Sequence, residues 1–208
     1  MLIIKKIEQN IDSLIQQFYK IPEERKILLA EFAKYISTKN KRGNKINLTF
    51  ICTHNSRRSH ISQIWAQTAA EYYNIKNVFC YSGGTEATAF NPRAVKAMIK
   101  AGFEITKEDE SGNPVYLVKY SQDKEPLKCF SKVYNDPFNP QKDYAAIMTC
   151  SDADENCPVV FGAEARFPIR YNDPKEYDDT ELEEKMYDER SEQIAVEMLY
   201  VFSKVHVR

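Results

Sequence analysis

The order of candidate strands and helices predicts an α/β fold built on a parallel sheet. Apolar runs at residues 46–51 and 77–84 are each followed by a segment with helical periodicity, and further strand candidates lie at 143–149 and 166–171. Strands that alternate with helices in this way pack as a parallel sheet covered by helical layers. Ligands of such sheets bind beyond the carboxyl ends of the strands, so the residues that directly follow each strand are the first candidates for a site.

The composition is that of a globular protein and gives no sign of nucleic-acid or membrane binding. The 208 residues are 43% apolar and 28% charged, with a formal net charge of −1. This length supports one sizeable core, and a nearly neutral chain lacks a field that would attract nucleic acid or an anionic membrane. The apolar runs are far shorter than a membrane span, and the first charges follow a short apolar patch, the reverse of a secretory signal. We therefore expect a cytoplasmic protein whose five cysteines are reduced by default.

Residues 1–45 predict a helical hairpin and an exposed linker, which are carried by a single α/β domain at residues 46–208. Apolar residues recur at helical spacing on both sides of Pro22, which suits the first turn of a helix. The polar run at 39–45 then indicates the linker. Because two helices cannot bury their apolar faces alone, we expect the hairpin to pack on the α/β domain or on a second copy of the chain, forming a homodimer.

The principal candidate site is the turn between the first strand and its helix. The strand ends on Cys52, a polar turn follows, and helical spacing resumes at Ile61. Five residues separate Cys52 from Arg58, the spacing that a thiolate needs if a small tetrahedral oxyanion is to sit between it and a guanidinium. Backbone N–H groups of such a loop form an anion-binding concavity, and the helix adds its positive N-terminal end. Both features favour a thiolate, so Cys52 is a candidate nucleophile.

The remaining chain predicts two more helices and an inserted β-hairpin. One helix begins at Pro92, and a long amphipathic helix at 180–205 has acidic residues in its first turns, as the helix dipole favours. Between them, the weaker pattern at 106–143 contains two apolar segments that we expect to pair as a hairpin. These segments are 114–120 and 128–134.

A second candidate site lies directly after the strand candidate at 143–149. Cys150 and Cys157 there flank a polar, acidic segment for which neither helix nor strand is predicted. In a reducing compartment such a pair is catalytic, redox-active or metal-binding. Zinc would need more ligands, and none of the three histidines has ligand spacing: His54, His60 and His206. We therefore predict no metal, and we expect Cys80 and Cys129 to be ordinary packed or surface cysteines.

On these residues the chain resembles the low-molecular-weight protein tyrosine phosphatase superfamily and, within it, the thioredoxin-coupled arsenate reductases. The resemblance covers roughly residues 46–205 and implies a three-layer α/β fold with a central four-stranded parallel sheet. It implies that Cys52 is the nucleophile, that Arg58 binds the oxyanion, and that Ser59 hydrogen-bonds the thiolate. Asp173, followed by proline, matches the general acid. The implied oxyanion-binding set is the whole loop: Thr53, His54, Asn55, Ser56, Arg57, Arg58 and Ser59.

The same resemblance implies a relay of cysteines for arsenate reduction. Cys52 would attack arsenate, Cys150 would attack Cys52 and release arsenite, and Cys157 would attack Cys150. The resulting disulfide would pass to thioredoxin or a similar dithiol. The alternative is a phosphatase that hydrolyses phosphate monoesters through a phosphocysteine. That reaction needs no second cysteine, so the pair favours arsenate reduction.

Some positions depart from the family pattern. His54 stands where the family loop commonly has glycine, and Arg57 stands where it commonly has a second cysteine. Some arsenate reductases hold a potassium ion with Asn, Glu and Ser. Asn55 and Ser82 match two of those ligands, but Gln63 replaces the carboxylate. We predict no resident ion or cofactor.

Two further alternatives remain open from the sequence. Asp136, which also precedes a proline, is a rival general acid, although it lies before the cysteine pair and so out of family order. A non-enzymatic protein could use the same loop to sense an oxyanion or an oxidant and signal through the helical hairpin. Binding of arsenate or phosphate without turnover would favour that reading.

Overall fold

A four-stranded parallel sheet forms the centre of the protein, as predicted. In this computed structural model, which describes residues 2–156 and 159–205, the sheet has the order β2-β1-β6-β7. Its strands are β1 (Ile46–Cys52), β2 (Val78–Gly84), β6 (Tyr144–Met148) and β7 (Ala163–Phe167). The helices are α1 (Lys5–Ile15), α2 (Glu23–Lys41), α3 (Arg58–Tyr72), α4 (Pro92–Lys100), α5 (Ser151–Asn156) and α6 (Glu183–Ser203). Within the described residues, no helix combines the length and apolarity that crossing a membrane requires.

The central strand is buried over its whole length because both faces of the sheet are covered. Side chains alternate between the two faces of a strand. Leu48 and Phe50 of β1 therefore join the main core, and Ile51, on the opposite face, joins a smaller apolar cluster with Met148. Cys52, the last residue of the strand, also belongs to the smaller cluster. This smaller cluster lies at the carboxyl ends of β1 and β6, which pair in parallel.

The N-terminal hairpin packs on its own chain, the first of the two arrangements that we expected. Ile11 of α1 and Phe32 of α2 are fully buried in the main core. Between these helices a 3₁₀ turn, Phe18–Lys20, brings the ring of Phe18 against Tyr200 of α6, with ring centroids 5.5 Å apart. The hairpin and the sheet share one core, and the proposed division at residue 45 stays a prediction.

The inserted hairpin is present and has a third strand that the sequence did not predict. Strands β3 (Glu104–Lys107), β4 (Tyr116–Lys119) and β5 (Leu127–Cys129) form an antiparallel sheet in that order. The second predicted hairpin strand, 128–134, ends early because its last residues leave the hairpin and dock at the end of β2. There Gly84 donates to the carbonyl of Lys132 and accepts from Tyr134, each at 2.9 Å.

Two local predictions differ from the structure. The last sheet strand was predicted at 166–171, but pairing with β6 begins at Ala163 and ends at Phe167. Residues after Cys150 form the short helix α5, for which the sequence predicted no regular structure. Asp152 and Asp154 lie in its first turn, where carboxylates favour helix formation. Cys157 lies outside the described residues.

Candidate active site

The loop after β1 places the predicted nucleophile beside a hydroxyl that is free to donate to it. Cys52 is buried and its Sγ lies 3.1 Å from Ser59 Oγ. Ser59 Oγ also accepts a hydrogen bond of 2.9 Å from the side-chain amide of Asn55. Because that bond uses a lone pair of Ser59, its hydroxyl proton can point at the sulfur. A donor to sulfur stabilises the thiolate, the reactive form of cysteine.

Asn55 also holds the loop in its curved conformation. Its φ of 44° lies in the left-handed region, which Asn adopts more readily than most residues. Its Oδ1 accepts a 2.9 Å bond from the backbone N–H of Lys132, in the inserted region. A neighbouring residue, Ser131, donates its hydroxyl to the carbonyl of His54 at 2.9 Å. The insertion therefore supports the loop from outside the sheet.

Gly84 allows the loop to approach the end of β2 closely. A side-chain carbon at this position would lie 2.6 Å from the carbonyl oxygen of Thr53 and 2.7 Å from the backbone nitrogen of Asn55. Any larger residue would displace the loop that carries the nucleophile.

Arg58 is held by two partners and retains one unused donor. Nη1 donates to the carbonyl of Tyr171 at 3.0 Å, and Nη2 donates to Asp173 Oδ2 at 2.6 Å. Nε is buried and has no hydrogen-bond partner among the described residues. An unpaired buried donor is unfavourable, and an oxyanion bound in the loop would satisfy it. The guanidinium thus joins the predicted anion loop to the predicted general acid.

Asp173 is directed at Arg58 by its own turn. Its Oδ1 accepts the backbone N–H of Lys175 at 3.1 Å and so caps a 3₁₀ turn, Pro174–Tyr177, while Oδ2 faces Arg58. The rival acid, Asp136, accepts instead from the backbone N–H of Phe138 at 2.8 Å. Of the two carboxylates, Asp173 is the one that contacts the anion loop.

Cys150 lies against the same loop. Its Sγ is 3.5 Å from Thr53 Oγ1 and accepts a hydrogen bond of 3.4 Å from the backbone N–H of Ala153 in α5. Cys52 and Cys150 are both buried, both unbridged, and belong to the same small apolar cluster. Parallel pairing of β1 and β6 therefore brings two free thiols to one edge of the sheet.

Three of the predicted oxyanion-binding side chains have other partners. His54 Nε2 lies 3.0 Å from Glu86 Oε1 at the surface, and the Ser56 hydroxyl donates to the carbonyl of Ala89. Arg57 Nε donates to the hydroxyl of Tyr187 in α6 at 2.8 Å. The structure does not bring these three side chains together with Arg58.

Sequence reasoning missed Lys132, which is buried beside the loop. Its Nζ donates to the carbonyl of Phe130 and lies 4.4 and 5.1 Å from the ring centroids of Phe130 and Phe138. Burial lowers the pKa of Lys132 to about 8. Its backbone N–H supports Asn55, and no local pattern could have revealed that contact, because the two residues are 77 positions apart.

The residue at the carboxylate position of the potassium site of some arsenate reductases has a different role here. Gln63, which stands at the carboxylate position, donates its side-chain amide to the carbonyl of Cys80 at 3.1 Å. Within residues 2–156 and 159–205, no group of three or more His, Cys, Asp or Glu side chains is arranged to hold a metal ion.

Known arsenate reductases are similar to this chain in sequence. No family model matches the chain. The arsenate reductase of Staphylococcus aureus (strain bovine RF122 / ET3-1) is 31% identical over 117 residues, which cover 56% of this chain and 69% of that protein. Arsenate reductase 2 of Staphylococcus saprophyticus is 30% identical over 118 residues, 56% of this chain and 70% of that protein.

Solved structures of low-molecular-weight phosphatases have the same fold. The protein tyrosine phosphatase of T. tengcongensis superposes with a TM-score of 0.52 at 15% identity, over 77% of this chain and 99% of that one. The phosphotyrosine phosphatase of Vibrio cholerae O395 gives 0.51 at 12% identity, over 76% and 95%. The sequence relatives agree with the loop geometry, and the chain belongs to the arsenate reductase family and has the fold of the low-molecular-weight phosphatases.

Proposed function

We propose that the protein reduces arsenate to arsenite with Cys52 as nucleophile and Cys150 and Cys157 as the redox pair. The observation that carries this proposal is the position of Cys150, whose sulfur lies against Thr53 of the anion loop and shares an apolar cluster with Cys52. A phosphate-ester hydrolase has no step for a second thiol at that place. The named relatives, arsenate reductases of two staphylococci, support the same reading.

In the first step the Cys52 thiolate attacks arsenic. Asp173 gives a proton to the departing oxygen, which leaves as water, and a sulfur–arsenic bond forms. Arg58 and the loop N–H groups hold the remaining oxygens, and its unpaired Nε is one available donor. Ser59 stabilises the thiolate before attack.

In the second step the Cys150 thiolate attacks the sulfur of Cys52. A disulfide forms, the sulfur–arsenic bond breaks, and its electron pair reduces As(V) to As(III), which leaves as arsenite. The N–H of Ala153 stabilises the attacking thiolate. Cys157, outside the described residues, then attacks Cys150 and frees Cys52. The protein is left with a Cys150–Cys157 disulfide.

An external dithiol completes the cycle. Thioredoxin or a similar protein would reduce the Cys150–Cys157 disulfide by thiol exchange and become oxidised itself. This step fits a reducing cytoplasm, where we place the protein. The substrate is arsenate, and we assign neither nucleic acid nor a membrane as a partner.

Hydrolysis of phosphate monoesters is the second candidate. The contact of Asp173 with Arg58 is compatible with it, because a nucleophile, an anion loop and an acid suffice for that reaction. Water would then hydrolyse a phosphocysteine on Cys52. In that case Cys150 would play no part.

Turnover assays separate these candidates. The reduced protein is incubated with arsenate, thioredoxin, thioredoxin reductase and NADPH, and in parallel with an aryl phosphate. We expect thioredoxin-dependent formation of arsenite. Aryl phosphate hydrolysis without arsenite would move the protein to the phosphatases, and oxyanion binding without either turnover would make it a sensor.

A homodimer through the N-terminal hairpin is a separate proposal. Tyr19 and Ile27 of this hairpin are 77% and 68% exposed, large apolar side chains that a second copy could cover. Light scattering would measure the mass, and Ile27→Asp should convert the dimer to a monomer. A monomeric wild-type protein would refute this proposal and leave the chemistry unaffected.

A further inference from the structure

We propose that Arg25, in the N-terminal hairpin, is a positioning residue for the oxyanion site. The inference rests on the proposed function and gives the hairpin a part in it. Arg25 does not contact the anion loop, and it acts through residues 170–171, which follow the last sheet strand. That short segment contacts Arg58 and also helix α5, which follows Cys150.

Arg25 crosses from α2 to α6 and to the chain after β7. Its Nε donates to both carboxylate oxygens of Glu197 at 3.1 Å, and Nη2 donates to Glu197 Oε2 at 2.8 Å. Nη2 also donates to the carbonyl of Arg170 at 3.1 Å. The side chain of Glu197 is only 4% exposed, so this carboxylate depends on its partners. One guanidinium thereby joins two elements that are distant in the sequence.

Arg25 and Glu197 both contact the side chain of Tyr171. Its hydroxyl donates to Glu197 Oε2 at 2.8 Å, and the Arg25 guanidinium lies 5.1 Å from its ring centroid. The backbone N–H of Tyr171 donates to Thr149 at the end of β6. These contacts leave the residue little freedom. Its carbonyl, which accepts from Arg58 Nη1 at 3.0 Å, is placed as a consequence.

The second branch runs to the redox segment. Arg170, whose carbonyl Arg25 binds, donates from its own Nε to Asp154 Oδ2 at 2.6 Å. Asp154 is buried in α5, whose N–H group at Ala153 contacts Cys150. The segment at 170–171 thus anchors the oxyanion-binding arginine on one side and the redox helix on the other.

A buried ion pair is weak evidence for stability, because desolvation of the two charges offsets their attraction. It does fix geometry, since a planar guanidinium can bind a carboxylate and a carbonyl at once and an ammonium cannot reproduce that fork. The Arg25 network is therefore suited to orienting residues 170–171. We expect its loss to weaken oxyanion binding through Arg58.

The test measures oxyanion binding without arsenate chemistry. Alkylation of Cys52 by iodoacetamide is followed by peptide mass spectrometry at increasing inorganic phosphate, and the protection gives a Kd. We expect Arg25→Met to raise the phosphate Kd about tenfold, or about 1.4 kcal/mol, and Arg25→Lys to raise it less. Lys26→Met is the matched control, because among the described residues Lys26 pairs only with the exposed Glu23 on its own helix. Its Kd should equal that of the wild type.

Thermal unfolding separates positioning from simple support. A lower Tm with an unchanged phosphate Kd in Arg25→Met would overturn the proposal. If that variant does not fold, Tyr171→Phe decides, because it removes only the hydroxyl that binds Glu197. A raised Kd supports the proposal, and an unchanged Kd overturns it.

The proposed function and the positioning role of Arg25 can be refuted separately. Wild-type protein that binds phosphate but does not reduce arsenate would refute the proposed function and leave the Arg25 comparison valid. Arsenate reduction together with an unchanged Kd in Arg25→Met would refute the positioning role alone. Wild-type protein that phosphate does not protect would refute both.

Discussion

Two groups of thiols in this protein are equally buried but have different surroundings. Cys52 and Cys150 lie at the carboxyl edge of the parallel sheet, where Ser59 and the N–H of Ala153 contact their sulfurs. Cys80, in the middle of β2, and Cys129, at the end of β5, have no hydrogen bond to sulfur among the described residues.

The difference shows that burial alone does not decide whether a cysteine is reactive. Burial raises the pKa of Cys129 to about 12 and also raises that of Cys80, so both stay neutral thiols. At the sheet edge, Ser59 and the N–H of Ala153 lie within hydrogen-bond distance of the two sulfurs. In the proposed mechanism, the role of a cysteine follows from its position relative to strand ends and loop N–H groups.

The largest expected effect comes from removing the nucleophile. Cys52→Ser should lower arsenate reduction by at least about 10⁴-fold, because the alcohol of serine is a far weaker nucleophile here than a thiolate. Steady-state turnover with the thioredoxin system measures the loss. Retention of more than a few per cent of the activity would mean that another thiol attacks the substrate.

Removal of the second edge thiol should stop the relay after the first step. In Cys150→Ser we expect single-turnover arsenite release to fall at least about 100-fold, because no positioned thiol remains to attack Cys52. Phosphate protection of Cys52 provides the control and should be unchanged. Normal arsenite release in this variant would remove Cys150 from the mechanism.

The buried thiol of Cys129 should make the stability of the protein depend on pH. The pKa of Cys129 rises from its ordinary 9.0 to about 12 in the folded protein. Between these values the unfolded chain loses the proton and the folded chain keeps it, so the stability due to this thiol is present below pH 9 and is lost as the pH rises to 12.

Comparison of the wild type with Cys129→Ala tests this dependence. Between pH 9 and pH 12 the free energy of unfolding of the wild type should fall by up to about 4 kcal/mol relative to that of Cys129→Ala. Urea denaturation at several pH values measures it. A difference that does not vary with pH would show that Cys129 titrates alike in both states.

The smallest effect is expected on the activity of the interior variants. Cys80→Ala and Cys129→Ala should keep kcat/KM for arsenate within about twofold, while each loses about 1–3 kcal/mol of stability from the altered core packing. Parallel assays of turnover and urea denaturation check both statements. A large loss of activity at unchanged stability would place an interior thiol in the relay.

Local sequence predicted the parts of the site that lie close together in the chain. The spacing of Cys52 and Arg58, directly after a buried strand, indicated the loop, and Asn55 and Ser59 followed from the family pattern. The sheet could be predicted because β1 and β6 are short, mostly apolar runs that are buried over their whole length. The shift of the last strand is an error of boundary, since apolar residues at 169 and 171 extend the run beyond the paired residues.

The parts that could not be predicted depend on contacts between distant residues. Lys132 and Asn55 are 77 positions apart, and Arg25 and Glu197 are 172 apart. Neither pair has a periodic or spacing signal. Arg57 was predicted to bind the oxyanion as one member of the whole loop, but its side chain points towards Tyr187. Adjacency in sequence does not determine which way a side chain points at the start of a helix.

Mapping of disulfides after one turnover tests the central claim most directly. The reduced protein receives one equivalent of arsenate without reductant, is quenched with acid and alkylated, and is digested for mass spectrometry. We predict a Cys150–Cys157 disulfide with Cys52, Cys80 and Cys129 alkylated, and no such disulfide in Cys52→Ser. Arsenite release with a disulfide that includes Cys80 or Cys129, or with no disulfide at all, would contradict the assignment of the relay to the thiols at the sheet edge.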